Sequence, residues 1–369
     1  MAKQRWFRYF DWPLLVATLV LVGIGLIVLQ SINYKDPALA QNFEPSKQIL
    51  FAGIGLGLMI LFARTDFRVW FRYAPVLYGI GLAALLLIFV IGSNALGATR
   101  WIELGPLQFQ PSEFIKIGLI MMLGRLFSRR HEEMRNWRYL LQSVALIAIP
   151  AGLIILQPDL GSAIAVAFIW VIMIIASNAN KLHLLGIAIA VLVALPVLFS
   201  TLQPYQVSRI ESFANPLADP QGAGYNVLQS TIAIGSGGLF GKGLGSGSQS
   251  QLNFLPSQQT DFIFAVLAEK LGFFGALLVL LLFSLIITRA VMIAWRTQDR
   301  FGMLLATGIA SMLVFHVAIN IGMNLGLLPV TGIPLPLLSY GGTNLIISLI
   351  AIGLLQSIAT HKNEVQFSR

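Results

Sequence analysis

The chain has 369 residues, 57% of them hydrophobic and only 11% charged, with a mean hydropathy of +0.80. A soluble domain needs roughly 25% charged residues to cover its surface, so this composition excludes one and calls for a polytopic membrane protein. The net charge of +9 does not indicate nucleic acid, because Lys and Arg are scattered between apolar stretches, and the absence of cysteine excludes disulfides and thiolate metal sites.

A bilayer core needs roughly 20 apolar residues per helix. Ten stretches approach that measure: 13–30, 48–62, 73–91, 112–126, 139–156, 160–177, 184–202, 262–288, 303–328 and 343–360. The expected fold is an all-α bundle of about ten transmembrane helices, a single membrane domain over 1–369. With both termini in the cytoplasm, only Lys35, Lys47, Arg100, Arg209 and Lys242 fall outside. Lys116 and Lys270 lie within spans, and the rest of the 24 Lys and Arg fall inside. That asymmetry is the positive-inside pattern. No small-residue cleavage site follows the first span, which therefore reads as a retained anchor.

The unusual sequence then gathers on the outer side, in loops 31–47, 92–111, 157–159, 203–260 and 329–342, whereas the inner connectors are short and basic. The fourth span opens QPSEFIKIG; Pro111 and Ser112 suit a helix start, and Glu113 and Lys116, three apart, share a face and can pair. Such a pair either fixes helix packing or positions a metal, a pyrophosphate or a catalytic acid. Asp159, in the tight turn QPDLG, caps the sixth span or faces the same outer vestibule.

The large outer loop 203–260, between the seventh and eighth spans, is rich in Gly, Ser, Gln and Asn. Within it YNVLQSTIAI carries apolar residues at helical spacing, so part of the loop lies against the membrane. GSGGLFGKGLGSG is not a nucleotide loop: Ser236 and Gly243 stand where a Walker A requires Gly and Ser or Thr. Its backbone N–H groups and Lys242 remain candidates for holding a lipid pyrophosphate, against the alternative of a mobile loop. The segment LNFLPSQQTDFIFAVLAEKLG follows, with one carboxylate, Asp261, where the polar loop becomes an apolar helix. On position alone, Asp261 is either a helix-start acid favoured by the dipole or a reactive group at headgroup depth. Glu269 and Lys270, deeper in that helix, read as a structural pair. His316, Asn320 and Asn324 form a polar stripe that glues helices. PVTGIPLPLLSYGG must be broken backbone shielded by protein or lining a cavity, so Ser339 is a candidate sugar contact and Tyr340 an aromatic-belt residue.

Taken together, TRWIELGPLQFQPSEFIKI, QPDLGSA, GAGYNVLQSTIAIGSGGLFGKGLGSGSQSQLNFLP, TDFIFAVLAEKLG and PLPLLSYGGTNL resemble the SEDS family (shape, elongation, division, sporulation) over nearly the whole chain. Spacing and short termini are most similar to its elongation branch. The resemblance implies a peptidoglycan glycosyltransferase of the bacterial cytoplasmic (inner) membrane that polymerises lipid II on the outer face. The family's essential Asp falls on Asp261, and its QPSE-x-x-K motif on Glu113 and Lys116. Asp261 is then the general base. Lys116, Arg100 and Lys242, or a divalent cation (Mg or Mn, with Asp261 and Glu113 as candidate ligands), would receive the leaving pyrophosphate. The implied partners are a class B penicillin-binding protein and other elongation-complex proteins. The chain departs from many members at Ser257 and Gln259, where they carry Glu and His. The rival readings are a lipid II flippase, which suits intramembrane charges equally well, and a non-catalytic scaffold.

Overall fold

The computed structural model describes residues 9–32, 44–95, 98–104, 107–180, 182–187, 189, 193, 204–215, 223–252 and 254–361. In chain order its elements are α1 (Trp12–Gln30), α2 (Pro45–Arg64), α3 (Phe67–Ile91), β1 (Ser93–Ala95), β2 (Ala98–Leu104), β3 (Leu107–Phe109) and α4 (Pro111–Arg129). A 3-10 turn (Glu132–Arg135) follows, then α5 (Trp137–Leu156), α6 (Leu160–Ala176), α7 (Pro204–Ala214), α8 (Ala223–Ser236), α9 (Ser248–Gln251), α10 (Ile263–Arg296), α11 (Arg300–Asn324) and α12 (Gly342–His361). Among the described residues, α1, α2, α3, α5, α10, α11 and α12 are long and apolar enough to cross a membrane. Helix α4 has the length but carries four charged residues, and α6 is apolar but has 17 residues. The expected span 184–202 lies mostly outside the described residues.

Local chemistry starts these helices where the chain pattern suggests. Pro opens α1, α2 and α4, where its missing N–H costs nothing. Side-chain oxygens of Asp11, Asp66, Asn136, Asp159 and Asp299 cap the first turns of α1, α3, α5, α6 and α11. The peripheral helices expose Leu, Ile, Val and Phe, which only lipid tolerates over such an area. The centre is made of α11 and α12, most of whose residues are buried. Helix α12 packs along α2, α3 along α4, and α11 against α10, α6 and α4. At the inner end, Asp11 accepts hydrogen bonds from Arg289 Nε and Nη2, at 2.9 and 2.6 Å. Its backbone exchanges bonds with the Gln356 amide, tying α1, α10 and α12 together.

The all-α expectation is corrected in one place. Loop 92–111 is not irregular: β1, β2 and β3 form a small antiparallel sheet, with Ile102 opposite Phe109 and a register shift between Ser93 and Asn94. The aromatic and β-branched residues of ATRWIEL favour this pleated form. A second departure is the break in α10 at Gly272, whose φ of 68° only glycine adopts readily. Residues 263–270, on the Asp261 side of the break, are all buried, and the longer apolar remainder runs to Arg296.

Candidate active site

Asp261 sits in the last turn before α10, and its position is set from beneath by α11. Asn320 and Asn324 each donate an Nδ2 hydrogen bond, 2.9 Å, to the Asp261 backbone carbonyl. Asn324 Oδ1 also accepts from the Ala265 amide at 3.1 Å, so one side chain serves both ends of the first helical turn. The expected glue role of this polar stripe is thus specific: it pins the backbone of the candidate acid.

The broken segment 329–341 closes the other side. Ser339 is fully buried; its hydroxyl donates to the Thr260 carbonyl at 2.6 Å and accepts from the Leu335 amide at 2.8 Å. Ser339 therefore cannot touch a sugar from this position. It holds the residue before Asp261: a buried hydroxyl needs hydrogen-bond partners, and both of these are backbone groups. The Tyr340 amide donates to the Gln259 carbonyl, and Gln48 bridges the Ser339 carbonyl and the Gly341 amide. Asp261 Oδ2 lies 3.6 Å from where a side-chain carbon on Gly332 would begin, so glycine there leaves room beside the carboxylate.

The Asp261 side chain keeps a partial opening to the surface, yet its surroundings are dense enough for desolvation to dominate. Burial pushes its pKa up to about 6; the charges of Arg209 and Arg100 and a hydrogen bond with Thr260 pull it down, and Asp159 adds to the rise. Arg100 and Asp159 thus share the field of Asp261. Arg100 donates to the carbonyls of Gln157 and Pro158. Asp159 caps α6 through the Ser162 amide at 3.1 Å and faces Ser112 Oγ at 3.5 Å. Arg209, on α7, was not among the sequence candidates. The available signal was its place as the one basic residue between 203 and 241 in the outer loop.

Glu113 and Lys116 pair as their spacing predicts, 2.7 Å apart and almost completely buried. The third member of that cluster, His316, receives Lys116 Nζ at 2.9 Å. Lys242 is drawn elsewhere: its Nζ lies 3.6 Å from Glu269 Oε1 and 3.3 Å from Ser248 Oγ. The glycine loop around it packs flat on the first part of α10. The amides of Lys242 and Gly243 donate to the carbonyls of Glu269 and Lys270, and side chains on Gly237 or Gly241 would overlap the carbonyl oxygens of Ala268 or Lys270. Those N–H groups are spent on the protein and do not form a phosphate cradle. Glu269 and Lys270 do not pair with each other. Glu269 accepts from the amides of Gln249 and Ser250, and Lys270 donates to the carbonyls of Ser31 and Leu244.

Of the two expected ligands for a Mg or Mn ion, Glu113 is engaged by Lys116, which leaves Asp261. A Mg ion is held by one or two carboxylates together with substrate phosphates, so these residues supply no complete protein cage. Glu113 gives its carboxylate to Lys116, Asp159 caps a helix, and among the described residues no cluster of three or more His, Asp or Glu side chains has metal-binding geometry.

Residues 12–364 match the cell cycle protein family FtsW/RodA/SpoVE. The chain belongs to this family. Among its relatives, the peptidoglycan glycosyltransferase MrdB of Escherichia coli (strain K12) is 40% identical over 98% of this chain and 96% of its own. Stage V sporulation protein E of Bacillus subtilis (strain 168) is 38% identical over 95% of this chain and 97% of its own. A solved structure described as the structural coordination of polymerization and crosslinking by a peptidoglycan synthase complex superposes with a TM-score of 0.79. It is 33% identical and covers 96% of this chain and 99% of its own. The Thermus thermophilus rod shape determining protein RodA superposes with a TM-score of 0.70 at 32% identity, covering 96% of this chain and 98% of its own. This FtsW/RodA/SpoVE member thus shares the overall architecture of these solved structures over 96% of its length.

Proposed function

We propose that this chain is a peptidoglycan glycosyltransferase that polymerises lipid II into glycan strands during cell elongation, with Asp261 as general base. The observation that carries the reading is one partly open carboxylate, pushed up to about 6, pinned by two buried asparagines and faced by arginines, in a family whose relatives bear that activity in their names. A base titrating near neutrality is ionised at working pH yet basic enough to accept a proton.

In the reaction the 4-hydroxyl oxygen of an acceptor GlcNAc bonds to the anomeric carbon of a MurNAc. The bond from that carbon to the undecaprenyl pyrophosphate oxygen breaks, inverting the centre. The hydroxyl proton passes to Asp261, and the pyrophosphate carries away the electron pair and needs cationic neighbours. Arg100 and Arg209 are the cations placed in the field of Asp261 and suit that role better than Lys242, which serves Glu269. The buried Glu113–Lys116–His316 cluster supports the wall of the site. No step is assigned to a metal ion.

We also place the chain in the bacterial cytoplasmic (inner) membrane as ten spans in one domain, both termini inside and Asp261 at the outer face. The Lys and Arg distribution and the location of Asp261 at the opposite end of α10 from Arg296 support that orientation. A class B penicillin-binding protein that crosslinks the new strand is the proposed partner, in line with the solved synthase complex. Lipid II polymerisation by purified wild type and Asp261→Asn, each with and without that partner, tests the assignment. Normal glycan chains from folded Asp261→Asn protein would remove Asp261 from the mechanism. Lipid II translocation without polymerisation would favour the flippase reading.

A further inference from the structure

At the far end of the bundle from Asp261, the start of α3, the end of α4 and the α10–α11 turn border an open cleft of about 640 Å³. Arg68, Arg129 and Arg300 line it over Phe71 and Phe301, with Asp299 as the single acidic lining residue. Asp299 is already committed: its Oδ1 caps α11 through the Gly302 amide at 2.8 Å, and its Oδ2 lies 3.9 Å from Arg68 Nε. Arg68 also reaches Asp66 through Nη1 at 3.1 Å, while its buried Nη2 has no protein acceptor. Among the described residues, neither Arg129 nor Arg300 takes part in an ion pair.

Three guanidinium groups therefore line one cleft against two engaged carboxylates, Asp299 and the Asp66 paired with Arg68, and the capped N-terminal end of the 25-residue helix α11 lies beside them. Guanidinium forks match phosphate oxygens, and a helix N-terminus adds to the same preference. A smaller cleft of about 230 Å³ shares Arg129 and is lined by Met122 and Leu126 together with Arg125 and Arg130. Met122 stands seven residues before Arg129 on α4, roughly 10 Å along the helix, so this cleft leads from guanidinium groups to two apolar side chains, Leu126 and Met122. A free phosphate would need only the first compartment; a headgroup with attached chains uses both.

We propose that this is a binding site for the phosphodiester headgroup of an anionic phospholipid of the inner leaflet, with the start of an acyl chain lying against Leu126 and Met122. The test uses the full-length protein in native mass spectrometry and thermal unfolding, with dioleoyl phosphatidylglycerol, dioleoyl phosphatidylcholine or inorganic phosphate as probes. Wild type should retain phosphatidylglycerol over phosphatidylcholine and gain Tm from it. Arg129→Gln with Arg300→Gln should weaken that retention roughly ten- to thirty-fold and leave Tm in phosphatidylcholine unchanged. Should the double variant lose its fold, Arg300→Gln alone, whose side chain is exposed, repeats the comparison. Equal retention of both lipids by wild type, or undiminished phosphatidylglycerol retention by the folded variant, overturns the proposal. An equal Tm gain from inorganic phosphate overturns the lipid assignment in favour of a free-anion site.

Discussion

Lys116 Nζ and His316 Nε2 lie 2.9 Å apart, although 200 positions separate them in the chain. An ammonium group has donors and no acceptor, so His316 accepts through Nε2 and its ring proton rests on Nδ1. Glu113 Oε1 takes a second Lys116 proton at 2.7 Å, and all three side chains are almost wholly buried. A buried charge in this region is tolerated because each partner is both charged or polar and hydrogen-bonded.

Removing one member should therefore cost more than removing the pair. Glu113→Ala or Lys116→Ala alone should lose on the order of 3–5 kcal/mol, and His316→Leu about 1–3 kcal/mol. The Glu113→Ala, Lys116→Ala double variant should lose less than the sum. A double-mutant cycle by thermal unfolding in one detergent measures the coupling; strict additivity would remove the pair from the stability of the bundle.

Asp261 links activity and stability with opposite signs. Its pKa, pushed up to about 6, means polymerisation should fall tenfold per pH unit below that value, as the base becomes protonated. Because the folded-state pKa lies above the ordinary carboxylate value near 4, ionising Asp261 costs folding stability above pH 6, and that cost disappears as pH falls toward 4. Asp261→Asn should thus raise Tm at pH 7.5, keep about half of that advantage at pH 5 and lose it below pH 4, while inactive throughout. A pH-rate profile and paired unfolding curves check the two signs.

Asn324 should behave as a positioning residue. It holds the Asp261 carbonyl and the Ala265 amide, so Asn324→Leu leaves both without that partner. A shift of about 1 Å in the acid can cost on the order of a hundredfold in rate. The expected signature is a large fall in kcat with little change in KM for lipid II, whereas a general loss of folding would lower the active fraction instead.

The glycine loop makes a purely structural prediction. Gly241 has φ of 81°, and a side chain there would run into the Lys270 carbonyl. Gly241→Ala should cost about 2–3 kcal/mol and loosen the packing of the loop on the first part of α10. Gly245→Ala, with open space around it, serves as the control and should be close to neutral. Limited proteolysis within 235–247 distinguishes them.

Much was legible in the sequence because it depends on neighbours along the chain. Apolar length marked helices, Pro and Asp marked their starts, Glu113 and Lys116 met because three residues place them on one face, and YNVLQSTIAI became α8. The junction acid Asp261 and the broken 329–341 segment stood out for the same reason: each is a local departure from an apolar pattern. Tertiary structure alone decided which distant groups meet. His316 beside Lys116, two asparagines under the Asp261 carbonyl, Arg209 in the carboxylate's field and Lys242 on Glu269 all depend on helix packing across long stretches of chain. A polar residue on an apolar helix announces that it needs a partner. Which partner satisfies it is set by the crossing of two helices, and that geometry is written in the fit of their whole faces and not in the spacing of any motif.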